Sequence, residues 1–187
     1  DILQLHVVDP EVPIEDSIGA LSELQAAGKI RHIGLCNVDV DELQRAQRVA
    51  PVLCVQNRFN ILQRGSEPVL QECERTGLAF LPYAPLLDGE LERAFPGEGL
   101  VLRAIAASRG ATVAQLCLAW LLAHSPVTLP IPGTSSIAHL DENLAALELQ
   151  FDEAEKASID ALAPYALQLS DTHCRSREAT RPGGLDV

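Results

Sequence analysis

The sequence predicts an α/β fold, either an open doubly wound sheet or part of a (β/α)8 barrel. Short apolar segments alternate with helical patterns along the chain, which is typical of a parallel sheet with crossover helices. Polar residues stand where the strands end, and barrel enzymes carry their chemistry on that rim. The last strand leads through the turn GTSS into a helix, and such a helix N-terminus is suited to an anion. The rim and the turn together favour the barrel.

Apolar runs rich in Leu, Val and Ile predict the strands. The first, ILQLH, runs like a buried strand and ends at a histidine. If the strand before GTSS is strand 8 of a barrel, counting backward makes ILQLH strand 4. The five predicted strands cover residues 2–6, 30–37, 52–59, 78–86 and 127–132.

Helical patterns lie between and after these strands, and several have recognisable ends. Glycine is a common residue just past a helix, and Ser, Thr or Asp followed three residues later by Glu or Gln is a capping box. Three pairs have that spacing: Asp39 with Glu42, Thr112 with Gln115, and Asp152 with Glu155. The predicted helices cover residues 14–28, 39–49, 65–77, 100–110, 113–124, 137–147 and 152–163.

Composition excludes several classes of protein. The 187 residues are enough for one sizeable core. A net charge of −12 argues against a nucleic-acid partner, which needs a basic surface. No apolar run reaches the roughly 18 residues of a membrane span. Five scattered cysteines without a C-x-x-C pair predict a reducing, cytoplasmic setting and no metal site.

Six motifs occur in the order seen in the second half of aldo-keto reductases, and the sequence resembles that family. They are DILQLHVVDP, KIRHIGLCNVDVDEL, VQNRFNIL, LPYAPLLDG, TVAQLCLAWLL and IPGTSSIAHLDENLAAL. The resemblance covers residues 1–164 and implies strands 4 to 8 of a (β/α)8 barrel. It also implies reduction of small-molecule aldehydes and ketones with NADPH, less often NADH, and without a metal. Residues 165–187 lose periodicity and are predicted to form an irregular or flexible tail.

His6 matches the active-site histidine of that family. The resemblance implies that its side chain hydrogen-bonds the substrate carbonyl and orients it for hydride transfer. A neutral imidazole N–H can stabilise the oxygen that gains negative charge as hydride arrives. Taken alone, a histidine at a strand end is more often structural, and the other rim residues make the catalytic interpretation the stronger one.

The nicotinamide end of the cofactor is assigned to the same rim by the resemblance. Asn37 and Gln56 match side chains that hold the carboxamide, and an amide offers an amide both a donor and an acceptor. Cys36 stands where a serine is common in the family, and a thiol is a weaker donor. Tyr83 matches the aromatic ring that stacks on the nicotinamide. The backbone of Ala84 through Leu86 resembles the segment that passes the diphosphate.

The adenosine end is assigned to the stretch that follows the last strand. In the family this stretch binds the 2′-phosphate and the adenine, with help from a helix N-terminus. Gly133 replaces a frequent lysine and His139 a frequent arginine, which weakens the case for strict NADPH preference. NADP(H) remains the expected cofactor ahead of NAD(H). The implied residues are Gly133, Thr134, Ser135, His139, Glu142 and Asn143.

The family's proton donor is a tyrosine supported by a lysine and an aspartate, all contributed before strand 4. No such set can be assigned in this sequence. We therefore expect the chain to be a fragment of a carbonyl reductase, with open sheet edges and without catalytic competence of its own. One alternative is a catalytically inactive NADP-binding regulatory module. A flavodoxin-like domain ranks lower, because HVVDPEVP replaces the Gly-rich loop it needs after its first strand. The sequence predicts neither the substrate's identity nor the oligomeric state.

Overall fold

The computed structural model describes residues 1–87 and 99–162, and its centre is a parallel four-stranded sheet. The strands are β1 (Ile2–Leu5), β2 (His32–Cys36), β3 (Val52–Gln56) and β4 (Ala79–Phe80). Their order in the sheet is their order in the chain. A doubly wound sheet reverses its winding direction at a switch point, whereas a barrel adds each strand on the same side. The sheet therefore follows the winding of a barrel.

The fourth and fifth predicted strands are shorter than expected. Beyond Phe80, pairing continues only as a bridge between Arg58 and Tyr83, and the fifth segment pairs through a single bridge between Phe80 and Thr128. Prolines stand at 82, 85, 130 and 132, and proline cannot donate to a ladder. The fifth segment still takes the next position in the same winding order.

Seven α-helices lie in the described part of the chain, within about two residues of the predicted bounds or slightly shorter. The helices are α1 (Ile14–Ala26), α2 (Val40–Val49), α3 (Glu67–Thr76), α4 (Gly99–Ser108), α5 (Val113–His124), α6 (Ile137–Ala145) and α7 (Glu153–Asp160). Gly28, Gly77 and Gly110 have φ values of 70°, 72° and 62° just past the ends of α1, α3 and α4. A 3-10 turn, Ala146–Glu148, follows α6.

The three capping boxes predicted from the sequence are confirmed. The side chains of Asp39, Thr112 and Asp152 each accept from the backbone N–H three residues later, and the returning bonds are also present. Each box satisfies backbone donors that the first turn of a helix otherwise leaves open.

The core lies between one face of the sheet and the helices. Ile33, Leu35 and Phe80 on that face are buried, and Phe59 just beyond β3 is buried with them. Phe59 stacks on Trp120 of α5 at a centroid distance of 6.0 Å and meets Phe80 edge-on at 5.8 Å. This cluster fixes the position of the chain immediately after β3.

The opposite face of the sheet is closely packed at its middle and open at β1. At Gly34, an added Cβ would lie 2.8 Å from Gln4 Cγ and 2.9 Å from Cys54 Sγ. The expectation that β1 is buried is wrong, because Ile2 and Leu3 are 46% and 41% exposed. Among residues 1–87 and 99–162, β1 pairs only with β2, so no described strand lies along its other side.

No single helix in the described ranges is long and apolar enough to cross a membrane; α4 and α5 pass such a test of length and composition only as a pair bent by 91°. The predicted tail over 165–187 lies outside the described residues.

Candidate functional site

Asn37 joins the carboxyl ends of three strands. Its Nδ2 donates to the backbone oxygen of His6 at 3.1 Å and contacts Cys36 Sγ at 3.3 Å. Its Oδ1 accepts from the Tyr83 hydroxyl at 2.9 Å. Its backbone N–H donates to the oxygen of Gln56 at 3.2 Å. Five residues that the sequence assigns to one site are thus connected through one residue: the Asn37 side chain contacts His6, Cys36 and Tyr83, and its backbone contacts Gln56.

The conformation of Asn37 explains why it can reach all of these partners. Its φ is 57°, in the left-handed region that asparagine tolerates better than most residues. This turn ends β2 and directs the amide across the strand ends. The Nδ2 group already donates to two protein acceptors. The side chain can therefore bind a further group only as an acceptor, through the second lone pair of Oδ1.

Tyr83 is held from several sides. Its backbone N–H donates to the backbone oxygen of Asn57 at 3.0 Å, and its backbone carbonyl oxygen accepts from Phe59 N at 3.4 Å. The Arg58 guanidinium lies 5.3 Å from the ring centroid, within the range of a cation–π contact. The half-buried ring therefore has a fixed orientation at the rim.

His6 lies directly after β1 and is exposed. Gln56 is half-buried at the end of β3, and Ala84 and Leu86 are half-buried in the turn after Tyr83. Ala84 has a φ of 51°. Parallel strands bring their carboxyl ends to one edge of a sheet, which is why residues so far apart in sequence share this rim.

The residues assigned to the adenosine end form a second group at the N-terminus of α6. Ser136 is the N-cap, accepting from His139 N at 3.4 Å, and Thr134 Oγ1 accepts from Ser136 N at 3.1 Å. A Cβ added at Gly133 would meet open space. The group is mostly exposed, except that Glu142 and Asn143 are half-buried: Gly133, Thr134, Ser135, His139, Glu142 and Asn143.

Sequence reasoning missed two buried asparagines after β3. Asn57 accepts from Val38 N at 3.2 Å and donates to Val38 O at 2.7 Å, which extends the pairing of β2 with β3 by means of a side chain. Asn60 donates to Ala84 O at 3.0 Å. The mostly polar run QNRFN, residues 56–60, could have indicated them, but most of it lies within the predicted strand over 52–59.

The donors and acceptors at this rim fit a nicotinamide cofactor. Amides at 37 and 56 match a carboxamide, the ring at 83 offers a flat apolar surface, and the turn into α6 offers backbone N–H groups at a helix N-terminus. Among residues 1–87 and 99–162, no group of three or more His, Cys, Asp or Glu side chains is placed to hold a metal ion.

Comparison with known proteins gives consistent matches. The sequence profile described as the Aldo/keto reductase family matches residues 1–164. An uncharacterized oxidoreductase of Schizosaccharomyces pombe is 41% identical over 160 residues, covering 86% of this chain and 51% of that protein. Pyridoxine 4-dehydrogenase of Escherichia coli is 40% identical over 169 residues, covering 87% of this chain and 57% of that protein.

Solved structures agree with the sequence matches. A crystal structure of an aldo-keto reductase from Klebsiella pneumoniae in complex with NADPH superposes with a TM-score of 0.80 at 33% identity, covering 88% of this chain and 58% of that one. A thermostable aldo-keto reductase bound to the inhibitor epalrestat gives 0.79 at 34% identity, covering 87% and 60%. The chain spans between half and three fifths of the length of the relatives it matches. Its parallel sheet is thus part of a (β/α)8 barrel, and the chain belongs to the aldo/keto reductase family.

Proposed function

We propose that this chain is the cofactor-binding and substrate-orienting part of an NAD(P)H-dependent oxidoreductase that reduces aldehyde or ketone carbonyls of small molecules to alcohols. The observation that carries the proposal is the Asn37 amide, which connects the end of β1 at His6 with Tyr83. The NADP and NADPH complexes of similar structures support the cofactor class.

The cofactor, when bound, supplies a hydride. Asn37 and Gln56 would hold its carboxamide, with Asn37 acting as an acceptor through Oδ1, because its amide hydrogens already have partners. The Tyr83 ring would support the nicotinamide, and Cys36 would add little as a thiol. The backbone of Ala84 and Leu86 would contact the diphosphate. The residues that would contact the 2′-phosphate and the adenine are Gly133, Thr134, Ser135, His139, Glu142 and Asn143.

His6 is the residue of this chain that we propose to act on the substrate. It is exposed beside the Asn37 amide, so a carbonyl compound can reach its imidazole. An imidazole N–H aimed at the carbonyl oxygen stabilises the charge that develops there during reduction. The hydrogen bond from Asn37 to the His6 oxygen would keep the backbone of this residue in place.

Reduction also needs an acid that protonates the product oxygen. Tyr83 is the one tyrosine of the described part of the chain, and its hydroxyl donates to Asn37. We propose that the acid, with its supporting lysine and aspartate, belongs to a longer protein and that this chain alone binds the cofactor without turnover. General-acid catalysis contributes about 10²–10⁴-fold in rate, so the isolated chain is expected to be nearly inactive.

The same observation leaves a second candidate function, a catalytically inactive NADP-binding regulatory module. That function predicts cofactor binding without carbonyl reduction even in a protein that carries a complete barrel. We also propose a reducing, cytoplasmic setting. Support comes from Cys54, Cys73 and Cys117, which are buried and form no disulfide within the described part of the chain, as is usual for proteins of reducing compartments.

The test is a fluorescence titration of this chain with NADPH and with NADH, repeated on His139→Arg. We expect saturable binding of both cofactors, and tighter binding of NADPH in the variant with little change for NADH, because arginine adds a fixed charge for the 2′-phosphate. Equal effects on both cofactors would place His139 away from that phosphate. No binding of either cofactor to the folded chain would contradict the proposed function. Carbonyl reduction by the longer protein then separates the enzyme from the regulatory module.

A further inference from the structure

We propose that Asn60 is a positioning residue for the Tyr83 ring, the surface that would support the nicotinamide and that we call the platform. The buried Asn60 amide holds the Tyr83–Ala84 turn and thereby sets the orientation of this ring. The proposal rests on the function proposed above and deepens it. Asn60 lies between β3 and α3, outside the strands, and its side chain does not belong to the rim contacts of Asn37.

The Asn60 side chain is fully buried, at 0% exposure, and uses all of its hydrogen-bonding capacity. Its Oδ1 accepts from Leu62 N at 3.1 Å and from Gln63 N at 2.9 Å. Its Nδ2 donates to Gln63 Oε1 at 2.9 Å and to Ala84 O at 3.0 Å. A buried amide with two acceptor and two donor bonds has one orientation, because any flip leaves donors facing donors. Its bond to Ala84 is therefore fixed in direction.

Ala84 needs such a contact. Its φ of 51° lies in the left-handed region, which is strained for a residue with a Cβ. Ala84 O also accepts from Leu87 N at 3.1 Å. Removing the Asn60 donor would leave this turn with less to offset its backbone strain, and a relaxation of Ala84 would rotate the peptide that follows Tyr83.

The three residues before Asn60 in the chain also contact Tyr83. Asn57 and Phe59 hydrogen-bond the backbone of Tyr83 on its two sides, and Arg58 lies over its ring. Four consecutive residues, 57–60, therefore contact the Tyr83–Ala84 turn. Phe59 is in turn fixed by Trp120 and Phe80 in the core. The orientation of the platform is thus linked to the packing of the core through this segment.

The test compares Asn60→Asp with Gln63→Glu in the full chain, labelled with 3-fluorotyrosine. Aspartate keeps the acceptors for the backbone N–H groups of Leu62 and Gln63 but removes the donors to Ala84 O and to Gln63 Oε1. Gln63→Glu adds the same charge to the same cluster. Its carboxylate still accepts from Asn60 Nδ2 and from Arg58, so the Asn60–Ala84 bond and the position of Arg58 over the Tyr83 ring are kept. The chain has two tyrosines, so Tyr83→Phe identifies the Tyr83 resonance in the fluorine spectrum.

We expect Asn60→Asp to shift or broaden the Tyr83 resonance and Gln63→Glu to leave it near its original position. Adding Ala84→Gly to Asn60→Asp should bring the resonance part of the way back, because glycine adopts a positive φ without strain. NADPH should bind about fivefold to tenfold more weakly to Asn60→Asp, as expected for about 1 kcal/mol or slightly more. Adenosine 2′,5′-bisphosphate, which has no nicotinamide, should bind with unchanged affinity.

An unchanged Tyr83 resonance in folded Asn60→Asp would overturn the proposal, as would a double variant that stays as perturbed as the single one. If Asn60→Asp does not fold, Asn60→Ser is measured in its place, because its hydroxyl is too short to reach Ala84. The fluorine spectrum needs no cofactor. A wild-type chain that binds neither ligand would therefore contradict the proposed function and leave the role of Asn60 to be decided by the spectrum.

Discussion

At the scale of single residues, the candidate site depends on amides that have more than one partner. Asn37 contacts His6, Cys36 and Tyr83 with one side chain. Asn57 contacts both backbone groups of Val38. Such side chains replace ladder hydrogen bonds where the strands have ended, so the backbone groups beyond the sheet remain satisfied.

The first prediction concerns Gly34 in the middle of β2. Gly34→Ala should lower the free energy of unfolding by about 1–3 kcal/mol, because its Cβ must displace Gln4 and Cys54, which lie within 3 Å of the added atom. The change is measured by urea denaturation followed by circular dichroism.

The control for Gly34 is Gly19 in α1, where an added Cβ meets nothing within 4 Å. Gly19→Ala should raise stability by about 0.5–1 kcal/mol, since alanine favours a helix over glycine. A Gly34→Ala protein as stable as the wild type would show that the Gln4 and Cys54 side chains can move away from the added Cβ without loss of stability.

The position of the candidate site residues near strand ends was predicted from the sequence, and their contacts were not. His6, Asn37 and Tyr83 lie after β1, β2 and β4, and Gln56 is the last residue of β3. The hydrogen bond between Asn37 and Tyr83 forms because β3 pairs with both β2 and β4 and so brings together residues that are far apart in the chain. No spacing along the sequence encodes that contact.

At the scale of elements, helix starts are the best-predicted features, because the bonds that make them are local. The second prediction uses the capping box of α2, where Asp39 accepts from Glu42 N at 2.8 Å. Asp39→Ala should lower the free energy of unfolding by about 0.5–2 kcal/mol, measured by urea denaturation.

The matched variant is Ser66→Ala at the start of α3, where the N-cap serine makes no side-chain capping bond. This change should leave the midpoint of unfolding close to that of the wild type. Equal losses in the two variants would mean that the cap contributes through something other than its hydrogen bond.

Strand ends were predicted less well than helix starts. The predicted strand over 78–86 is reduced to Ala79–Phe80, because prolines interrupt the ladder and Ala84 turns into the left-handed region. The predicted strand over 127–132 pairs only through Thr128. Strand length depends on a partner that can pair, and an apolar run alone does not supply one.

At the scale of the whole molecule, carboxylates connect successive helices around the sheet. Glu15 of α1 accepts from Arg45 of α2 at 2.8 and 2.6 Å. Glu72 of α3 accepts from Gln44 of α2 at 3.0 Å and from its neighbour Arg75. These contacts lower the pKa of both carboxyls from 4.5 to about 2: Arg45 has the largest effect on Glu15, and Arg75, followed by Gln44, on Glu72.

The third prediction follows from the direction of these shifts. A carboxyl whose pKa is lower in the folded state stabilises the fold above its unfolded pKa, and that contribution is lost as the folded form takes up protons. Stability should therefore decline as the pH falls from about 4.5 toward 2. Glu72→Gln should make that decline shallower in urea titrations over this range, whereas Glu74→Gln, exposed on the same helix, serves as the control. A decline of unchanged steepness in Glu72→Gln would contradict the assignment.

The sequence by itself determined the alternation of strands and helices, the helix caps, and which residues stand at strand ends, because these depend on neighbours within a few positions. Tertiary structure decided the rest. It left Ile2 and Leu3 of β1 exposed, shortened β4, and gave Asn57 and Asn60 their buried partners. Each of these outcomes depends on which distant segment lies alongside, and parallel pairing joins segments that the local pattern treats as independent.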